Sequence, residues 1–300
     1  MNDLHTLLSA TDLSSPSRYT AHRAAMLARQ IGAKLELVHA LDKNELDKLL
    51  RLLTEKGEEL QERIRSQARG SLSQLADNIS EQFGISAGCH LVEGKVLESI
   101  AAQAVALNAN LLIMGARGTG FLRQQLLGAT AERLLRIAQC PVLTVKQPPR
   151  KPYQNVLVPI DFSPWSLSAL RLALVVAPKA KLTLLHAYEV PFVGKMRIEG
   201  ETEETICLYR DKARQEAEAC LHQTATDAGI ANEDWHPMVI YGDTVDCVRE
   251  QEEEQGADLI VIGRRGLGAD IGMVEEFLIG STARKTLIHA RCDVLVGHYH

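Results

Sequence analysis

Two loops in the sequence combine glycine, arginine and a small hydroxyl residue in an order suited to holding phosphate. The first runs Gly115-Ala116-Arg117-Gly118 and, nine residues later, Gly128-Ala129-Thr130 at the start of a helix. The second runs Gly263-Arg264-Arg265-Gly266, then thirteen residues, then Gly280-Ser281-Thr282. Glycine lets the backbone turn with positive φ and come close to a ligand. Free N–H groups at a helix start attract anions, and a hydroxyl in the first turn can cap the helix or meet a phosphate oxygen. Arg117, Arg123, Arg264 and Arg265 flank these loops and can pair with phosphates or point into water. A single glycine pattern reads more readily as a strand-to-helix turn. Its recurrence at one place in each half of the chain favours a ligand. Asp12 and Asp161 lie in Asp-x-Ser-x-x-Ser settings next to prolines, which points to helix N-capping and is compatible with a ligand role. His39 and His186 have no evident carboxylate partner and are read as packing residues.

The elements that must position these residues come from an internal repeat. HTLLSATDLSSPS resembles NVLVPIDFSPWS, placing Asp12 over Asp161, an offset of 149. Further matches place His39 over His186, Gly94 over Gly242, Gly115 over Gly263, Gly128 over Gly280 and Cys140 over Cys292, in the same order throughout. The reading is two homologous domains, 1–147 and 153–300, joined by a Pro-rich linker at 148–152. Strands are expected at 4–10, 34–40, 87–92, 111–114 and 142–145, and again at 155–160, 181–187, 235–241, 259–262 and 294–297. Helical periodicity covers 17–31 and 96–107, and 42–83 reads as one long helix or two. Continuous apolar runs such as LLIMG and LIVIG suit strands buried on both faces. Each half is therefore an α/β domain of doubly wound, Rossmann-like type with a five-stranded parallel sheet. Ligands of such sheets sit beyond the carboxyl ends of the strands, where the strand order reverses. That gathers Thr11-Asp12 and Ile160-Asp161, the exits at Ala40 and Ala187, and the glycine loops that follow Met114 and Ile262.

Composition narrows the function. Lys plus Arg number 33 against 38 Asp plus Glu, a net charge of −5, and aromatics are 4%. That argues against a nucleic-acid partner. No run of about 18 apolar residues is available to span a membrane, and no signal segment is visible, so a cytoplasmic protein is expected. The six cysteines contain no CxxC pair, which argues against a zinc site. Walker, GxSxG and HExxH motifs are absent from the sequence, and no acid/base pair emerges, so an enzyme is not expected.

Taken together, the glycine loops, the strand-one aspartates and the repeat resemble the universal stress protein family in its tandem two-domain form. The family signature is Gly-x2-Gly-x9-Gly-(Ser/Thr), which in the ATP-binding branch grips ribose and phosphates. Gly115, Gly118 and Gly128 match it, with Ala129 where Ser or Thr is usual. Gly263, Gly266, Gly280 and Ser281 match it with thirteen residues in place of nine. The resemblance puts Asp12 and Asp161 near the adenosine, and the backbones of Ala40 and Ala187 against adenine. The binding set it implies is Thr11, Asp12, Ala40, Met114, Gly115, Arg117, Gly118, Gly128, Ala129 and Thr130 in the first half. In the second it is Ile160, Asp161, Ala187, Gly263, Gly266, Gly280, Ser281 and Thr282.

The implied ligand is ATP, with or without Mg²⁺, in a stress-response sensor or regulator. The implied assembly pairs the two halves as an intramolecular pseudo-dimer through 142–145 and 294–297, with a homodimer as a further state. The first half is expected to be the better site. Ala129 removes one hydroxyl, whereas the longer second loop brings Asp270, Glu275 and Glu276 toward any phosphate. Two alternatives stand beside this reading. One is a scaffold or non-nucleotide binding protein with degenerate loops, and the other is a slow ATPase of the same fold class.

Overall fold

The computed structural model describes residues 4–52, 57–116, 127–190, 193–231, 235–266 and 279–298, with side chains described over the same ranges except at 50, 127–131 and 193–195. In the first half the elements are β1 (Thr6–Ala10), α1 (Ser15–Ile31), β2 (Lys34–Asp42), α2 (Lys43–Leu52), α3 (Gly57–Phe83), β3 (Ala87–Gly94), α4 (Val96–Ala106), β4 (Leu111–Gly115), α5 (Leu127–Ile137) and β5 (Val142–Val145). The second half repeats them as β6 (Asn155–Pro159), α6 (Pro164–Val176), β7 (Lys181–Tyr188), α7 (Val193–Ile198), α8 (Glu203–Ala228), β8 (Trp235–Tyr241), α9 (Thr244–Glu254), β9 (Leu259–Gly263), α10 (Ser281–His289) and β10 (Asp293–Gly297).

The chain divides into two units. Unit 1 holds the chain up to Pro152 and takes in Asp293–Val296, while unit 2 begins at Tyr153. In unit 1 the strand order is β3-β2-β1-β4-β5, all parallel, and in unit 2 it is β9-β6-β7-β8, again parallel. An antiparallel pair also occurs in unit 1, where Val294, Leu295 and Val296 stand opposite Thr144, Leu143 and Val142. The α/β doubly wound class is as the apolar runs require.

Strands β1, β4 and β9 are buried along nearly their whole length, which is why their sequences carry no polar alternation. Unit 1 closes its core with Ala21, Ala24, Leu27 and Ala28 of α1 and Leu72, Leu75 and Ile79 of α3. Fully burying a leucine stabilises by about 1.5–3 kcal/mol relative to leaving it in water. The stretch 42–83 resolves into two packed helices: Gln61 Nε2 donates to the carbonyl of Leu46 at 2.9 Å. In one straight helix those residues would be about 22 Å apart. The loops entering β1 and β6 are pinned alike, by Asn110 accepting from the N–H groups of His5 and Thr6, and Asp258 accepting from those of Gln154 and Asn155. Among the described residues no helix is long and apolar enough to cross a membrane.

One buried charge is expected to make the stability of unit 1 depend on acid pH. Glu36 of β2 lies beneath the sheet surface between Lys34 and His90, whose Nε2 is 2.7 Å from Oε2. Burial alone would raise its pKa. Hydrogen bonds from Lys34 and His90, with their charges, outweigh that and hold the carboxyl below its ordinary value. A carboxylate depressed in the folded state adds stability above its unfolded pKa and loses it as pH falls through the folded value. Replacing Glu36 with Gln is therefore expected to cost stability near neutrality and to flatten the acid limb of a stability–pH profile. Urea unfolding at a series of pH values from 7 down to 3 checks this, and parallel wild-type and mutant curves would refute it.

Candidate functional site

Strand order reverses between β1 and β4 in unit 1 and between β6 and β9 in unit 2. The crevice beyond those carboxyl ends is where a ligand fits in an open parallel sheet. Asp12 and Asp161 each stand two residues beyond the first strand of their unit, at that crevice. The residue after each is left-handed: Leu13 and Phe162 both have φ 61°. Bulky side chains avoid this conformation, which costs of order 1–3 kcal/mol and clusters at functional sites. Its repetition in both units marks one conserved turn.

The turn is held by local hydrogen bonds. Oδ1 of Asp12 accepts from the N–H and hydroxyl of Ser14, at 3.0 and 2.5 Å. Oδ1 of Asp161 does the same for Ser163, at 3.1 and 2.5 Å. The helix caps themselves are Ser14 and Ser163, whose hydroxyls accept from the N–H groups of Ser17 and Ser166. The capping role expected for the aspartates thus passes to the serines, because a carboxylate two residues earlier reaches the cap and not the helix. The signal was present in the sequence as Ser followed within two residues by Pro at the helix start. Thr11 is buried, its Oγ1 2.9 Å from Ser17 Oγ, and it also accepts from the N–H of Leu13 at 3.0 Å.

Both histidines brace this turn from the second strand. His39 Nδ1 is 2.8 Å from the carbonyl oxygen of Thr11, and His186 Nδ1 is 2.8 Å from that of Ile160. A carbonyl only accepts, so each Nδ1 carries its proton. The Phe162 ring packs on His186 with centroids 4.3 Å apart. The half-buried Ala40 and Ala187 follow the histidines directly, and Ile160 is buried.

In unit 2 the residues on either side of the glycine loop make close contacts. A Cβ on Gly263 would lie 2.9 Å from the backbone carbonyl of Trp165, so only glycine lets β9 end against α6. A Cβ on Gly266 would lie 2.5 Å from Oδ2 of Asp161. The strand-one aspartate and the loop glycine, about a hundred residues apart in sequence, are thus brought into contact. Arg264 is buried, and the Arg265 guanidinium lies 5.6 Å from the centre of the Trp165 ring. Gly280 caps α10 without a side chain, donating its N–H to the carbonyl of Arg264 at 2.9 Å. The N–H groups that open α10, at Ser281, Thr282 and Ala283, therefore have no side-chain cap. Ser281 is exposed and Thr282 half-buried beside them.

In unit 1, Met114 is buried, Gly115 ends β4, and the N–H of Ala116 donates to Val145 O at 2.8 Å. Gly128, Ala129 and Thr130 fall in the first turn of α5. Arg117, Gly118 and Arg123 lie outside the described residues, as do Asp270, Glu275 and Glu276 of the longer loop. Among the described residues no group of His, Cys, Asp and Glu is placed to hold a metal ion. Sequence reasoning missed Trp165 and the left-handed residues Leu13 and Phe162, which no residue preference announces.

Known proteins share both the sequence pattern and the architecture. The family model described as universal stress protein family matches residues 4–146 and again 152–298. A universal stress protein of Methanocaldococcus jannaschii is 27% identical over 150 residues, covering 47% of this chain and 81% of the relative. One of Mycobacterium bovis is 30% identical over 196 residues, covering 63% of this chain and 61% of the relative's length. The crystal structure of a universal stress protein from Archaeoglobus fulgidus superposes with TM-score 0.62 at 22% identity, covering 97% of each chain, which speaks for the fold. A Pseudomonas aeruginosa structure does so with TM-score 0.61 at 20% identity, covering 98% of this chain and 93% of that one. With two copies of the family pattern spanning nearly its whole length, the chain belongs to the universal stress protein family, in tandem form.

Proposed function

We propose that the protein binds an adenine nucleotide, ATP in the first instance, beyond the carboxyl ends of the central strands, and acts as a sensor or regulator in a stress response. The observation that carries this is the contact of Asp161 with Gly266, in the loop whose Arg264 carbonyl accepts from Gly280 at the uncapped start of α10. The N–H groups of Ser281 and Thr282, with the loop at Gly263 and Gly266, would hold the phosphates. Asp161, Ile160 and Ala187 line the nucleoside end. In unit 1 the corresponding set is Thr11, Asp12, Ala40, Met114, Gly115, Arg117, Gly118, Gly128, Ala129 and Thr130. Mg²⁺, where present, would arrive as the counterion of the phosphates, a role its strong hydration favours.

The test is mass spectrometry of the small molecules released when the purified protein is denatured. ATP or ADP in stoichiometric amount is expected, and one equivalent against two would count the competent units. None released, with no uptake when ATP and Mg²⁺ are added back, would overturn the reading in favour of a scaffold or another ligand.

A further inference from the structure

The repeat is wired differently at one pair of equivalent positions. In unit 1, Arg65 of α3 grips Glu93 near the end of β3 with two hydrogen bonds, Nε to Oε1 at 2.7 Å and Nη2 to Oε2 at 3.2 Å. In unit 2 the equivalent arginine is Arg210 of α8, standing as far before Gly229 as Arg65 stands before Gly84. The equivalent of Glu93 is Tyr241, each directly preceding the glycine that follows the strand's last side chain. The carboxylate has been replaced by a phenol, and the Arg210 guanidinium lies over the Tyr241 ring, 4.3 Å from its centre. Tyr188, at the end of β7, meets Tyr241 edge-on at 5.6 Å, and its hydroxyl donates to the backbone carbonyl of Arg210 at 3.4 Å. The neighbouring Glu203 is engaged by Arg197, with hydrogen bonds of 2.8 and 3.3 Å. Among the described residues the Arg210 side chain has no carboxylate at ion-pair distance, and its Nε is buried without an acceptor.

A guanidinium laid on an aromatic face is shielded from water on one side and keeps its outward N–H groups in a fixed plane. That planar fork matches phosphate oxygens in pairs. Tyr188 directly follows Ala187, and Tyr241 closes β8, so the cluster sits at the carboxyl ends of these strands, on the ligand side of the sheet.

We propose that Arg210, framed by Tyr188 and Tyr241, is a phosphate-binding subsite of unit 2, and that Glu93 closes the corresponding position of unit 1. The phosphate comes either from a phosphorylated small molecule such as a nucleotide or from free inorganic phosphate. The proposal stands whether or not the glycine loops hold ATP.

The experiment follows the arginine Nε–Hε resonances by NMR in the full-length protein, with Arg210 assigned by its loss in Arg210→Gln. The probes are inorganic phosphate, AMP and adenosine. In wild type the Arg210 signal is expected to move with phosphate and with AMP and to stay still with adenosine. Tyr241→Glu rebuilds the ion pair of unit 1, and is expected to weaken both responses by roughly tenfold to a hundredfold, the loss typical of a charge-assisted contact. AMP binding much tighter than phosphate would name the nucleotide as the source, and equal affinities would name free phosphate. Should Tyr241→Glu not fold, Arg210→Gln provides the same comparison by calorimetric titration. A signal indifferent to both phosphate compounds, or responses unchanged in both variants, would overturn the proposal. Failure of ATP to co-purify would leave it standing, because that result concerns the α10 amides.

Discussion

Replacing Asp293 with alanine is expected to destabilise unit 1 by about 3–5 kcal/mol, the cost of breaking a buried ion pair from one side. Asp293 is fully buried, and its Oδ1 accepts from the backbone N–H groups of Lys146 and Gln147 at 2.7 and 3.2 Å. Its other oxygen lies 3.5 Å from Nε of Arg23, itself almost fully buried. Arg23 reaches on to the carbonyl of Lys151 at 3.0 Å. One carboxylate thus neutralises a buried guanidinium and satisfies the amides where the chain leaves β5. Asparagine at 293 keeps an acceptor and loses the charge, so it should fall between wild type and alanine. Urea unfolding of the three proteins measures the series. An alanine variant within about 1 kcal/mol of wild type would refute the expected cost of breaking this buried pair.

The second large effect divides stability from binding. Gly280→Asp is expected to leave the melting temperature unchanged or slightly raised while nucleotide affinity in unit 2 falls by about two orders of magnitude. Gly280 has φ −61° and ψ 149°, which any residue adopts, and a Cβ there would meet only Arg264 and Arg265 backbone at 3.5–3.9 Å. Aspartate is a slightly better helix cap than glycine, by a few tenths of a kcal/mol, and the helix dipole favours it. Yet its carboxylate would occupy the amides that a phosphate needs. Losing charge-assisted bonds costs about 1.5–3 kcal/mol each, or one to two decades. Gly128→Asp, in the first turn of α5, tests the proposed site of unit 1 by bringing a carboxylate to the phosphate loop. Equilibrium dialysis with labelled ATP should show one equivalent lost per functional site. Undiminished binding in both variants would sink the assignment.

Much of the architecture was legible in the sequence because it rests on patterns of short range. Apolar runs such as Leu111–Met114 mark doubly covered strands, and the repeat aligns one unit on the other without any structure. The α2–α3 packing was left open, since helical periodicity does not say where a helix turns back. The pairing of Val294–Val296 with Val142–Thr144 was legible only through the family resemblance, because strand pairing joins residues that no local pattern relates. The candidate site was legible in part. Gly266 and Asp161 were both singled out, and their contact follows from strand order. The capping serines were overlooked although Ser-Pro announces them. The exchange of Glu93 for Tyr241 was invisible until Arg65 and Arg210 could be seen reaching the same place, because the repeat is faintest across those helices.

The pairing of β10 with β5 has a consequence for synthesis. Lys146 and Asp293 are 147 residues apart in the chain. At a ribosomal rate of about 5–20 residues per second, roughly 7–30 s pass between their emergence. Throughout that interval the nascent first unit displays β5 as a bare edge, with the Arg23 charge awaiting its partner. A bare edge accepts whichever complementary strand comes first. Until β10 arrives, that edge stays open as a template for pairing, so the last strand to be made is also the one that closes the first unit.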